Sequence, residues 1–174
     1  LLGTTEDDLS LSEYRVVIEE HNVSEMIRDG RVPALDMERE RAVQDACLRG
    51  AEAGLLRSAH DCADGGLAVA LAESCFSSLN RPGLGADVEL PSSALSGEAH
   101  LFSESPSRII ISFEEALLNQ IKEIAASAGC PLRLLGRVTT DRLRITAGGE
   151  ELISLNTNEL EGAWRSSLGA QLQG

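Results

Sequence analysis

His60-Asp61-Cys62-Ala63-Asp64-Gly65-Gly66-Leu67-Ala68-Val69-Ala70-Leu71-Ala72-Glu73 carries the chain from an extended segment into a helix. Ser58 to Asp61 reads as a short strand. Beyond the paired glycines, Leu67, Ala70, Leu71, Ser74 and Cys75 recur at helical spacing, so a helix is expected over Gly66 to Leu79. Asn80-Arg81-Pro82-Gly83 stops it. Paired glycines let the backbone turn tightly and approach a ligand closely. The helix start offers unpaired N–H groups and the positive end of a dipole, which favour an anion. Asp61 and Asp64 repel phosphate, but a Mg²⁺ held by hard oxygens reconciles the two charges. The same residues also fit a plainer arrangement, with Asp64 as N-cap and the glycines serving helix packing. A Cys-His-Asp nucleophile is disfavoured, because neighbours on an extended segment alternate faces and Asp61 opposes His60 and Cys62.

Outward from this turn, Asp36 reads as the N-cap of a helix over Met37 to Leu56, with Val43, Ala46, Cys47 and Leu55 near a 3.6 period. Gly85 to Leu90 alternates as a strand, Pro91 to Gly97 is a loop with room for a helical turn, and Arg108 to Phe113 is a β-branched, buried strand. Leu117, Leu118, Ile121, Ile124 and Ala125 share one face of a helix over Glu114 to Ala128, ended at Gly129. Leu132 to Val138 is a further strand. Gly148-Gly149 joins Leu143–Thr146 and Glu151–Leu155 into a hairpin. Asn156 or Thr157 then caps a last helix through Trp164 and Leu168. The order β-α-β-β-α-β from Ser58 to Val138 is that of a ferredoxin-like split βαβ. The class is therefore α+β: a mixed β-sheet with packed helices, a βαββαβ ferredoxin-like core, an added hairpin and a terminal helix.

The chain has 174 residues, a length that fits one domain. Its 15 Lys+Arg against 28 Asp+Glu give a net charge of −13, which repels nucleic-acid backbones and anionic membranes. The only lysine is Lys122, and aromatic residues make up 3%, too few for a base-stacking platform. No apolar run is long enough to span a bilayer. Eleven of the acids lie in residues 1–40, so residues 1–35 read as a solvated or linker-like lead-in, with a short strand or helical turn at Tyr14 to Ile18. Cys47, Cys62, Cys75 and Cys130 lack CxxC spacing and are expected as free thiols. His21, His60 and His100 lack zinc-ligand spacing. No secretory leader precedes the first elements, and Leu1 stands where a Met would, so the chain reads as a piece of a longer one.

A second segment concentrates chemistry: Phe102-Ser103-Glu104-Ser105-Pro106-Ser107-Arg108. Arg108 has the fork that grips phosphate or carboxylate. The alternative is a polar loop in which Glu104 and Arg108 pair with each other.

Taken together, HDxxDGGLAVALAE from His60 and LFSESPSR from Leu101 resemble the C-terminal domain of the AIR synthase-related superfamily, in the form found in phosphoribosylformylglycinamidine synthases. Leu2-Gly3-Thr4 through Ser12-Glu13-Tyr14, Pro33-Ala34-Leu35-Asp36, Leu135-Gly136-Arg137-Val138 and Glu161-Gly162-Ala163-Trp164 extend the resemblance along nearly the whole chain. It implies the last domain of the second of two similar halves. Residues 1–14 would be the exit from a preceding nucleotide-binding domain, and residues 15–174 the C-terminal domain.

The implied activity belongs to the whole enzyme, a cytoplasmic ligase of purine biosynthesis. Formylglycinamide ribonucleotide is activated by ATP, and ammonia from glutamine then makes the amidine. The implied cofactors are ATP or ADP and Mg²⁺, the latter on Asp61. The implied substrate- or nucleotide-binding residues are Asp64, Gly65, Gly66, Ser103, Glu104, Ser105, Ser107 and Arg108. No catalytic residue falls within this chain, which is expected to be inactive alone. The implied partners are other domains of the same polypeptide, a glutaminase subunit and a small accessory subunit, with no nucleic acid and no membrane. The competing expectations are a non-catalytic module holding an auxiliary nucleotide, and the hydrogenase-maturation branch of the superfamily. Pro106 stands where the family's first-half domains carry Gln. Leu9-Ser10-Leu11-Ser12 replaces a glycine-rich LGGS, and Cys62 and Ala63 replace Val and Ser.

Overall fold

The computed structural model describes residues 1–78 and 80–171, with the backbone alone at 168–171. The elements run α1 (Glu13–Val17), α2 (Val23–Asp29), α3 (Met37–Glu52), β1 (Leu56–Asp61), α4 (Gly66–Cys75), β2 (Gly85–Leu90), α5 (Gly97–Phe102) and β3 (Ile109–Phe113). A 3₁₀ turn (Glu115–Leu117) leads to α6 (Leu118–Ser127), β4 (Gly136–Thr139), β5 (Arg142–Ala147), β6 (Glu150–Asn156) and α7 (Thr157–Gln171). They fall into two compact units, residues 1–70 with 95–134, and residues 71–94 with 135–174. Among the described residues no helix is long and apolar enough to cross a membrane.

The first unit is built on β1 and β3, paired antiparallel with His60 opposite Ile110 and Asp61 opposite Ile109. Its core joins Leu2, Val43, Ala46, Ala125 and Cys130, with Ile109 and Ile111 packed against them. Fully burying a leucine or valine such as Leu2 or Val43 contributes about 1.5–3 kcal/mol. Asp36 caps α3 as its sequence position predicts, its carboxylate accepting from the amides of Glu38 at 2.9 Å and Arg39 at 3.1 Å. The helix stops at Glu52 rather than Leu56, because Leu56 is taken into β1 opposite Phe113.

The expected solvated lead-in is corrected over residues 1–12. Leu2 donates to Ile109 O at 2.9 Å and accepts from its amide at 3.1 Å, while Gly3 donates to Pro131 O at 2.8 Å. Leu2, Asp8 and Ser12 are buried. The acid-rich composition misleads here because backbone pairing, not side-chain polarity, draws these residues in. Tyr14, in the first turn of α1, stacks on Phe102 with ring centroids 4.8 Å apart.

The second unit holds a mixed four-stranded sheet in the order β4-β2-β5-β6, with β2 parallel to β5 and the other pairs antiparallel. Val88 faces Ile145 and Ala86 faces Leu143 across the parallel pair, and all four are buried. Gly148 (φ +57°) and Gly149 (φ +86°) form the β5–β6 turn, where both central residues need the left-handed region. Asn156 caps α7, its side-chain oxygen accepting from the Asn158 amide at 2.9 Å.

The α+β class, the mixed sheet, the order of the strands and the hairpin are as expected, whereas α2 forms within the stretch read as an irregular lead-in, capped by Asn22, whose side chain accepts from the Ser24 amide at 2.8 Å. The pairing is not wholly ferredoxin-like. β1 and β3 pair as that arrangement requires, but β2 and β4 pair with each other instead of flanking them. The cause lies between Leu90 and Ile109, a connection too long for a hairpin and containing α5. That helix was not anticipated. It has six residues, and its signal is the N-cap Ser96, which accepts from Ala99 N at 3.1 Å. The strand expected from Leu132 begins only at Gly136, since Leu132 is bridged to Leu2. Helix α4 ends at Cys75, and Leu79, its expected end, lies outside the described residues.

A local pH response follows in the second unit. Ser77 gives its hydroxyl (2.5 Å) and its amide (2.9 Å) to the Glu161 carboxylate, and Arg165 adds an ion pair at 2.7 Å. The Ser77 hydroxyl and amide, then Arg165, hold the Glu161 carboxyl down to about 2 from 4.5. The depressed pKa means this contribution is present above the unfolded value near 4.5 and is lost as pH falls towards 2. Thermal melts of Glu161→Gln are expected to lose less stability than wild type between those two pH values. Parallel acid limbs would refute the assignment.

Candidate functional site

The two segments singled out in the sequence meet within the first unit. Glu104 supplies the contact. Its Oε1 accepts from the Gly65 amide and from the Glu13 amide, each at 2.9 Å. The anion expected at the glycine turn is thus met by the chain's own carboxylate. Gly66 has φ +66°, and a Cβ there would lie 2.6 Å from Ser103 O, so the turn and the 103–108 loop are in close backbone contact.

The loop itself is held from below. Ser103 and Ser105 are fully buried. Ser103 Oγ accepts from the Asp8 amide at 3.1 Å, and Ser105 Oγ accepts from the Glu6 amide at 3.0 Å and donates to Glu6 O at 3.3 Å. Arg108 is 3% exposed. It donates from Nε to Ser105 O at 2.9 Å, from Nη2 to Ser103 O at 2.6 Å and from Nη1 to Thr5 Oγ1 at 3.2 Å. Glu104 and Arg108 therefore each bond main-chain groups, and the expected fork of Arg108 grips carbonyls of its own loop.

An open groove of about 600 Å³ runs over this loop. Asp61, Glu104, Ser105, Ser107 and Arg108 line it, as the sequence expectations bring together; Asp64, Gly65, Gly66 and Ser103 lie outside the lining. Asp61 ends β1 with its side chain 74% exposed. Ser107, held at φ +60°, donates to Glu40 Oε2 at 2.6 Å. The opposite wall was missed: Met37, Glu40, Val43 and Gln44 of α3, with Leu35 ahead of it. Its signal was available, because these helix residues recur at i, i+3 and i+4 after the Asp36 cap.

Asp61, Glu40 and Glu104 make the groove acidic, and it suits a cation or a cation-bridged anion better than a bare phosphate. Among the described residues no three His, Cys, Asp or Glu side chains gather tightly enough to hold a metal by themselves. Asp61 fits Mg²⁺ only in the mode that uses one or two carboxylates and completes the shell with phosphate and water. Cys62, beside Asp61, is no nucleophile at neutral pH, since burial pushes its thiol up to about 11. All four cysteines are free.

The chain is an α+β domain with a glycine-turn helix start and a serine-rich loop braced by its own hydrogen bonds. Residues 3–148 match the family described as AIR synthase related protein, C-terminal domain, and the chain belongs to that family. It is similar to the phosphoribosylformylglycinamidine synthase subunit PurL of Anaeromyxobacter sp. (strain K), at 38% identity over 99% of this chain and 22% of that protein. The corresponding subunit of Moorella thermoacetica is 39% identical over 97% of this chain and 21% of that protein. The chain thus spans about a fifth of the length of these relatives. In three dimensions it overlays on Thermotoga maritima PurL complexed with FGAR, with a TM-score of 0.72 and 20% identity over 92% of this chain and 27% of that one.

Proposed function

We propose that this chain is the C-terminal domain of the second half of a phosphoribosylformylglycinamidine synthase. In the full-length enzyme it would lend its groove to the ATP- and glutamine-dependent conversion of formylglycinamide ribonucleotide to the amidine. The observation that carries this is the 38% identity to a PurL subunit over 99% of this chain, together with the convergence of both motif segments on one groove. Thermotoga maritima PurL, whose fold it shares, has been solved complexed with FGAR, with ATP and with ADP, and in a PurLQS assembly. Those ligands support a nucleotide or the amide substrate here. The assembly supports glutaminase and small-subunit partners beside the other domains of the polypeptide. A cytoplasmic setting accords with free cysteines.

In this reading residues 1–14 lead out of a nucleotide-binding domain. Mg²⁺, when bound, neutralises phosphate charge during phosphoryl transfer. Asp61 supplies its exposed carboxylate at the groove rim, and Glu104 ties the glycine turn, through the Gly65 amide, to the start of α1, through the Glu13 amide. Ser107, tied to Glu40, fixes the facing wall. A second reading, in which the domain holds an auxiliary nucleotide without touching reacting atoms, is favoured by the internal bonding of Ser103, Ser105 and Arg108.

One experiment separates them. The full-length synthase with Asp61→Asn and Glu104→Gln is expected to lose about 10²-fold in kcat/KM, the scale of misplaced binding groups. Wild-type kinetics with lowered thermal stability would select the auxiliary reading. The 174-residue chain alone is expected to form no amidine, and turnover by it would refute the need for other domains.

A further inference from the structure

We infer that Arg108 is a positioning residue of the groove, fixing the Glu104 carboxylate through the main chain on either side of it rather than by touching ligand. This rests on the synthase reading above.

Arg108 is a buried cation, and its guanidinium hydrogen bonds go to neutral oxygens. Burying a guanidinium is costly unless its N–H groups are met. Here the acceptors are Ser103 O and Ser105 O, the carbonyls of the two residues on either side of Glu104, with Thr5 Oγ1 as the third. One planar fork therefore holds the peptide plane that enters Glu104 and the Ser105–Pro106 plane one residue beyond it, and so restricts the direction in which the Glu104 side chain leaves the loop. The outcome of that direction is measurable: Oε1 reaches two amides from separate helix starts, Gly65 and Glu13, at the same 2.9 Å. The serine hydroxyls anchor the same two residues to the amides of Asp8 and Glu6, so the loop is braced at each residue beside Glu104. Lysine at position 108 keeps the charge but presents a single nitrogen, which cannot span both carbonyls in one plane.

The test is a kinetic cycle in the full-length synthase, with Arg108→Lys, Glu104→Gln and the double variant, each corrected for folded fraction by thermal melts. Arg108→Lys is expected to lower kcat/KM about 10-fold or more, since small displacements of a positioned group weaken turnover steeply. The double variant is expected to match Glu104→Gln alone within about twofold, because both changes act through one carboxylate. Wild-type constants for Arg108→Lys or for Glu104→Gln would overturn the inference. So would fully additive losses, which would mean that Arg108 meets ligand directly. If Arg108→Lys does not fold, Thr5→Val removes one acceptor and leaves the cation. Its expected loss of about 3-fold must likewise vanish in the Glu104→Gln background, and a loss that persists there would overturn the inference. Absence of amidine formation by the wild-type full-length protein would instead remove the synthase reading, and this inference with it.

Discussion

Gly66→Ala is expected to destabilise the chain by about 3 kcal/mol or more, measured by urea unfolding. Gly66 sits at φ +66°, where a side chain costs about 1–2 kcal/mol in backbone strain. A Cβ would also meet Ser103 O at 2.6 Å and Leu101 O at 2.9 Å, and both are backbone atoms that cannot swing aside. Relieving that overlap means pushing away the 103–108 loop, which Arg108 and the serine hydroxyls hold in place. Overpacking of this kind costs about 1–3 kcal/mol on top of the strain. Gly54→Ala is the control: φ is also positive, at +68°, but no atom lies within 4 Å of its Cβ, so only the strain term applies. Equal losses for the two variants would show that the contact between the turn and the loop contributes nothing.

Glu104→Ala is the second large effect, with an expected cost of about 3 kcal/mol. Hydrogen bonds to a charged acceptor contribute about 1.5–3 kcal/mol each, and this carboxylate takes two. Its loss leaves the amides of Gly65 and Glu13 without their acceptor at the starts of α4 and α1. Glu104→Gln keeps an oxygen in the same place and is expected to cost about half as much as Glu104→Ala, because a neutral acceptor holds the two amides more weakly. The same substitution removes charge from the groove while keeping an acceptor for both amides. A Glu104→Ala variant as stable as wild type would show that solvent replaces the carboxylate freely, and the brace would have to be abandoned.

The sequence was most informative where local chemistry acts alone. The Asp36 and Asn156 caps, the alternating Gly85–Leu90 strand and the Gly148-Gly149 turn depend on neighbours a few residues away, and they formed as read. Element ends were less legible. Leu56 leaves α3 for β1 because a strand partner, Phe113, lies 57 positions further along the chain. Residues 1–12 looked solvated because Glu6, Asp7 and Asp8 are acidic, yet the backbones of Glu6 and Asp8 bond the serine loop and Leu2 bonds β3.

The candidate site divides along the same line. Residue type and order alone marked Asp61, the paired glycines and the Ser103–Arg108 segment as the places where chemistry could occur, and their joint pattern identified the family. Nothing in residue type could say that Glu104 would turn to the Gly65 amide or that Arg108 would be buried against carbonyls. Those outcomes turn on which long-range acceptor each donor reaches once water is excluded. That depends on the pairing of β1 with β3, which brings Asp61 opposite Ile109 and so sets the glycine turn against the serine loop.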